Sequence, residues 1–189
     1  MTLRATPAVR FAAALATLVA GCGGAPAEAP PARAATIARA EAPRSHDAAS
    51  APIRRVVETF RTSILRKDKA SFVDLFLDKT VPWIAVVGDE TLARQRAEVP
   101  DSSKIDTSDN YMAFIDWVCS TNDTIEEKLS GLAIETDGDV ASVIFDYSFH
   151  KGAQLSNWGK ESWQLVRTDR GWKIASVVYS RTKSLPAAR

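Results

Sequence analysis

From residue 124 onward the apolar residues recur every second position, and this switch of period constrains the fold more than any other feature. A run that alternates in this way places its apolar side chains on one face of a half-buried strand. Four such runs follow in succession, at 125–136, 140–149, 159–169 and 172–182. Asp137-Gly138-Asp139 and Asp169-Arg170-Gly171 supply tight-turn chemistry between neighbouring runs. The stretch 150–158, with Gly152, Ser156 and Asn157, reads as a longer connection. Four strands joined by short links predict an antiparallel meander, and one side of it must be covered.

The first half supplies the cover. Ile53, Val56, Val57, Phe60, Ile64 and Leu65 recur at helical spacing with Arg54, Arg55, Glu58, Arg61 and Arg66 opposite. Ser50 is placed to cap this helix, and Pro52 falls in its first turn. A second, shorter helix is expected from Asp68 through Phe72, Val73, Leu75 and Phe76, and a third from Ser108 to about Cys119. Val81–Val87 reads as a strand, with Pro82 suited to its beginning. Residues 89–107 are polar and ambiguous. Three helices followed by a sheet that curls around them give an α+β domain over residues 51–183, with 184–189 as a disordered tail.

This order of elements, and above all the ending Trp163-Gln164-Leu165-Val166-Arg167…Gly171-Trp172-Lys173-Ile174-Ala175-Ser176-Val177-Val178, resembles the nuclear transport factor 2-like and polyketide-cyclase-like (SnoaL-like) superfamily. The resemblance implies a cone-shaped, cystatin-like half-barrel: a curved antiparallel sheet wrapped around three N-terminal helices, with a pocket in its hollow. Such a fold hosts enzymes and binding modules alike. Enzymes of the superfamily set a carboxylate in an apolar pocket, commonly after a Thr-Val-Glu-like strand start. The matching stretch here is Thr80-Val81-Pro82-Trp83, which offers an indole instead.

The N-terminus speaks to location. Arg4 and Arg10 precede an apolar run from Phe11 that ends Leu18-Val19-Ala20-Gly21-Cys22, with no acid among residues 1–21. This resembles a bacterial lipoprotein precursor, which implies a signal peptide over 1–21, acylation of Cys22 and attachment to a membrane by lipid. Gly23, in place of aspartate, points to the outer membrane facing the periplasm. Residues 22–50 are dominated by alanine, with Pro26, Pro30, Pro31 and Pro43, and read as a disordered tether.

Composition excludes several classes. After loss of the signal, 22 basic and 23 acidic residues leave no charge imbalance that would draw nucleic acid. Cys119 is the one cysteine besides Cys22, so no internal disulfide is expected, and Cys119 reads as a small buried hydrophobe. With His46 and His150 the only histidines, neither a metal nor another cofactor is expected.

The candidate chemistry is sparse. Asp116 sits among apolar helix residues, Tyr111 has a hydroxyl near it in sequence, and His150 is the one group that titrates near neutrality; these are the catalytic candidates. Asp146 lies on the strand face opposite Val143, Phe145, Tyr147 and Phe149, and so on the outer side. Glu126-Glu127 and Arg54-Arg55 read as solvated pairs. Trp83, Tyr111, Tyr147 and Trp163 are the candidates for holding a small apolar or planar ligand. On the last strand Ala175, Val177 and Tyr179 form a face less polar than water favours, which suggests a homodimer. These readings favour a lipid-anchored, non-catalytic binding or scaffolding domain. The alternative is an isomerase, cyclase or dehydratase doing acid–base chemistry in an aromatic pocket.

Overall fold

The computed structural model describes residues 46–183, so the signal, the lipidation site Cys22, nearly all of the tether and the 184–189 tail lie outside the described residues. Among the described residues, four helices accompany one six-stranded sheet. In chain order these are α1 (His46–Arg66), α2 (Lys69–Asp74), β1 (Trp83–Val87), α3 (Asp89–Glu98), β2 (Ile105–Asp106), α4 (Tyr111–Ser120), β3 (Ile125–Thr136), β4 (Val140–Lys151), β5 (Gln154–Thr168) and β6 (Gly171–Lys183). The sheet order is β2-β1-β6-β5-β4-β3, antiparallel throughout except for the β1–β6 pair. This is the curved α+β half-barrel the sequence predicts.

Helix α1 starts earlier than the spacing suggests. Ser50, expected as its cap, lies inside it and is buried, and Pro52 sits in its second turn. The helix ends where Lys67 takes a left-handed conformation, φ 57°. The amide of Asp68 then reaches the Ser63 carbonyl at 2.9 Å and that of Lys67 the Ile64 carbonyl at 3.2 Å, which satisfies two terminal carbonyls. Asp68 in turn caps α2 by accepting from the Ser71 amide.

Helix α3 occupies part of the stretch that read as ambiguous. Only Thr91 and Leu92 of it are buried, so its apolar stripe is too thin to register as a period. Asp89 and Glu90 in the first turn and an Arg94–Glu90 ion pair at 3.0 Å support it locally. The longer connection expected at 150–158 is instead a tight turn at Gly152-Ala153, with β4 and β5 running on to it.

The core lies between α1, α2, α4 and the concave face of the sheet. Ile53, Val57, Phe60 and Ile64 present one side of α1 to it, and Phe60 meets Trp163 at 4.7 Å and Phe72 at 5.0 Å between ring centres. Val143, Phe145, Tyr147 and Phe149 face inward from β4 as their alternation requires. On β6 the alternation breaks: a register shift lets Ile174 and Val177 both turn inward, each fully buried. The apolar face carrying Val177 and Tyr179 is therefore the concave one. The chain's own core accounts for it, and the argument for a dimer from that face falls away.

One break in the ladder matters for the site. Trp158 pairs with Thr182 and Glu161 with Tyr179, but Gly159 and Lys160 between them form no register pairs with β6. The Ser180 hydroxyl takes the Lys160 amide at 3.0 Å, and the Ser180 carbonyl is free to accept from the Tyr147 hydroxyl at 2.9 Å. A Cβ on residue 159 would stand 2.0 Å from that carbonyl oxygen, so only glycine permits the approach. Gly159→Ala is expected to cost at least about 1–3 kcal/mol, read from the urea midpoint, because backbone rather than a side chain must yield. An unchanged midpoint would contradict this reading.

Candidate active site

Alternation on β3 turns Ile125, Glu127 and Leu129 toward the hollow, and alternation on β5 turns Glu161, Trp163 and Leu165 the same way. Two carboxyl groups are thus carried into an apolar interior. Glu127 is 4% exposed and Glu161 3%. They line a cavity of about 90 Å³ together with Trp83, Phe114, Tyr147, Phe149, Asn157, Tyr179 and Arg181. At roughly 30 Å³ per water molecule the space holds about three waters or a fragment of similar size.

The two acids are not equivalent. The Trp163 indole N–H donates to Glu161 Oε2 at 2.7 Å, which favours the ionised form of Glu161. Glu127 Oε1 is buried with no hydrogen-bond partner among the described residues. Burial raises the pKa of both, that of Glu161 to about 7. For Glu127, loss of hydration and then the neighbouring Glu161 charge hold the proton well above the usual carboxylate range. Glu161 therefore ionises first, and its charge keeps Glu127 protonated. Above about pH 7, and until Glu127 ionises, the pair holds one proton, an acid beside a base.

The surrounding hydroxyls stay neutral. Burial, followed by the charges of Glu161 and Glu127, raises the Tyr147 pKa strongly, and burial pushes that of Tyr179 up to about 12. Tyr147 is fixed by the Ser180 carbonyl and lies 3.0 Å from Asn157 Oδ1. Arg181 Nη2 donates to Asp106 Oδ2 at 2.8 Å, while its buried Nε–H has no partner among the described residues. Asp106 also accepts from the Ser108 hydroxyl and amide, which depress its pKa and keep it anionic opposite the guanidinium.

The residues singled out from the sequence are scattered by comparison. Trp83 and Tyr147 line the cavity. Trp163 is fully buried behind it, holding Glu161. Tyr111 stacks on Phe76 at 3.9 Å, donates its hydroxyl to the Asp78 carbonyl at 3.0 Å and lines a separate groove with α2. Asp116 is exposed and paired with Lys69. His150 is half-buried, 3.0 Å from the Ser148 hydroxyl and on the same side of β4 as Asp146, which pairs with Lys160 on the outer face. The structure thus does not bring Asp116, Tyr111 and His150 together. Cys119, expected in the core, is exposed, with its thiol directed to the Lys67 carbonyl at 3.3 Å.

Sequence reasoning set Glu127 aside as half of a solvated pair; only Glu126 fits that description, beside Lys128 at 3.7 Å. It did not consider Glu161 or Arg181 as site residues. The signal was present in Ile125-x-Glu127-x-Leu129 and Glu161-x-Trp163-x-Leu165, where an acid takes the inward position of an otherwise apolar alternation. Among the described residues no cluster of histidine, cysteine and acidic side chains is arranged to hold a metal ion, and no helix is long and apolar enough to cross a membrane.

No family model matches the chain, and no curated protein matches it. Solved structures do resemble it. A nuclear transport factor 2-like protein of unknown function from Pseudomonas putida KT2440 superposes with a TM-score of 0.52 at 13% identity, over 76% of this chain and 97% of that one. Another from Shewanella baltica OS155 gives 0.52 at 12% identity, over 74% and 98%. A protein of the nuclear transport factor 2-like family from Streptomyces avermitilis gives 0.50 at 16% identity, over 73% and 99%. At these identities the likeness establishes the fold, which is nuclear transport factor 2-like, and nothing of the chemistry.

Proposed function

We propose that this domain is an acid–base site for a small carbonyl compound, with Glu161 as the base and Glu127 as the acid. The observation that carries the reading is the pair of buried carboxyls opening on an aromatic cavity, one of them with an unpartnered oxygen. A buried acid left without a partner costs stability, so its retention suits a group that meets a ligand. This reverses the preference for a non-catalytic domain drawn from the sequence, because that preference rested on a hollow without acids.

In the proposed step the Glu161 carboxylate takes a proton from the carbon next to the carbonyl. The C–H electron pair forms the new C=C bond, and the carbonyl π electrons move to oxygen, where the Glu127 O–H stabilises the developing charge. Reversal returns a proton to carbon, with net exchange or a shifted double bond. The test is exchange of the α-protons of acetone in D₂O, followed by proton NMR. The protein should accelerate exchange above buffer; a rate equal to buffer at pH 7–8 would refute the assignment.

In this reading the domain hangs from the outer membrane by acylated Cys22 and works in the periplasm, the Ala/Pro-rich segment ahead of α1 giving it reach. The lipobox-like sequence supports that placement, and labelling with palmitate that is lost in Cys22→Ser tests it.

A further inference from the structure

Two buried side-chain polar atoms lack partners among the described residues, Glu127 Oε1 and Arg181 Nε, and both belong to residues lining the same 90 Å³ cavity. Arg181 also lines a second cavity, of about 530 Å³, formed by α3, β2 and the loops that follow each. It is the one residue common to the two linings. The inner space suits a head of about four heavy atoms, well below the 300–1,000 Å³ of ordinary ligand sites, whereas the outer space falls within that range.

The outer lining is rich in neutral hydrogen-bonding groups, among them Gln95, Ser102, Ser103, Thr107 and Ser108. Its charges are Glu98, Asp106 and Arg181, and the last two already pair at 2.8 Å. The unbalanced charge is therefore that of Glu98, which disfavours an anionic tail such as a phosphate. The orphaned Nε–H of Arg181, the residue that lines both spaces, calls for an acceptor oxygen.

We propose that the ligand spans both cavities as a neutral hydroxylated carbonyl compound, its carbonyl oxygen accepting from Arg181 Nε and its hydroxylated tail lying in the outer pocket. The assignment rests on the acid–base reading above and extends it by naming the substrate class and giving Arg181 the role of third polar contact. Arg181 then shares with Glu127 the charge that develops on oxygen, while Asp106 holds the guanidinium in place.

The test compares acetone with erythrulose, a four-carbon trihydroxy ketone, by NMR-detected binding to the wild-type protein and variants. Erythrulose should bind at least tenfold more tightly than acetone. Val99→Trp, at a 60% exposed position on the outer pocket, should lower erythrulose affinity at least fivefold more than that of acetone. Arg181→Lys, which removes the Nε donor and keeps the charge, should weaken both probes. Equal affinities for the two ketones, or an erythrulose advantage untouched by Val99→Trp, would overturn the two-cavity assignment. Failure of both ketones to bind would leave the cavity a water site and overturn it as well. Length-dependent binding without α-proton exchange would support the two-cavity ligand and refute the acid–base role, so the two failures are distinguishable.

Discussion

Glu161→Gln should reduce α-proton exchange by about 10²–10⁴-fold, the usual contribution of a positioned general base. The glutamine amide keeps the size of the side chain and its contact with Trp163 but cannot accept the proton from carbon. Glu127→Gln should cost less, because a neutral amide still donates a hydrogen bond to oxygen where the neutral acid did. The pH profile separates these roles further. Wild-type exchange should rise as Glu161 ionises near 7 and fall at higher pH as Glu127 loses its proton, a bell belonging to the coupled pair. Equal losses in both variants, with no rising limb near neutrality, would contradict the division of labour.

Thermal stability should fall as pH rises from about 5 to 9. Both acids have folded-state pKa values raised above the 4.5 expected in the unfolded chain. Below 4.5 both states are protonated and the pair's contribution is fully present. Above 4.5 the unfolded chain releases protons that the folded protein retains, so stability declines until pH passes the folded-state values. For Glu161 the decline runs from 4.5 to about 7, and for Glu127 it extends higher. The loss is on the order of a few kcal/mol.

Other carboxylates act in the opposite sense and in a separate window. Asp78, Asp106, Asp123 and Asp137 have depressed pKa values from hydrogen bonds to hydroxyls, backbone amides or lysine, and their contribution is lost as pH falls below about 4. The melting temperature should therefore peak near pH 4–5. Glu127→Gln removes the titration that extends to the higher pH, so the decline toward pH 9 should shrink by half or more, leaving the variant more stable than wild type at pH 8. A wild-type melting temperature constant from pH 5 to 8 would contradict this.

The strands from Ile125 onward were legible because alternation and turn residues agreed at the β3–β4 and β5–β6 hairpins, and α1 because Ile53, Val56, Val57, Phe60 and Ile64 share one buried face, although Leu65, read with them, is exposed. Neither α3, with two buried residues, nor the register shift that turns both Ile174 and Val177 inward leaves a mark on the apolar pattern. Pairing across strands created the site, and a single strand does not show it. Trp83 and Tyr147 were visible as aromatic candidates, but Glu127 was weighed beside its sequence neighbour Glu126. Its real neighbours come from the register: Phe149 lies opposite Glu127 on β4, and Phe145 and Tyr179 flank Glu161. An acid on a strand is expected to face water because burial is costly. At Glu127 and Glu161 the alternation pointed inward against that expectation, and such a conflict between pattern and cost marks functional positions.

The acid–base reading requires Glu127 and Glu161 to hold a single proton between them above about pH 7. Its most direct test is a carboxyl ¹³C NMR titration of glutamate-labelled protein, with Glu127→Gln and Glu161→Gln to assign the signals. Two resonances should titrate in coupled steps well above the ordinary carboxylate range, the Glu161 step near 7 and the later Glu127 step moving down in Glu161→Gln, where the charge that raises it is gone. Titration of every glutamate near 4–5, with neither variant moving the other's signal, would contradict it.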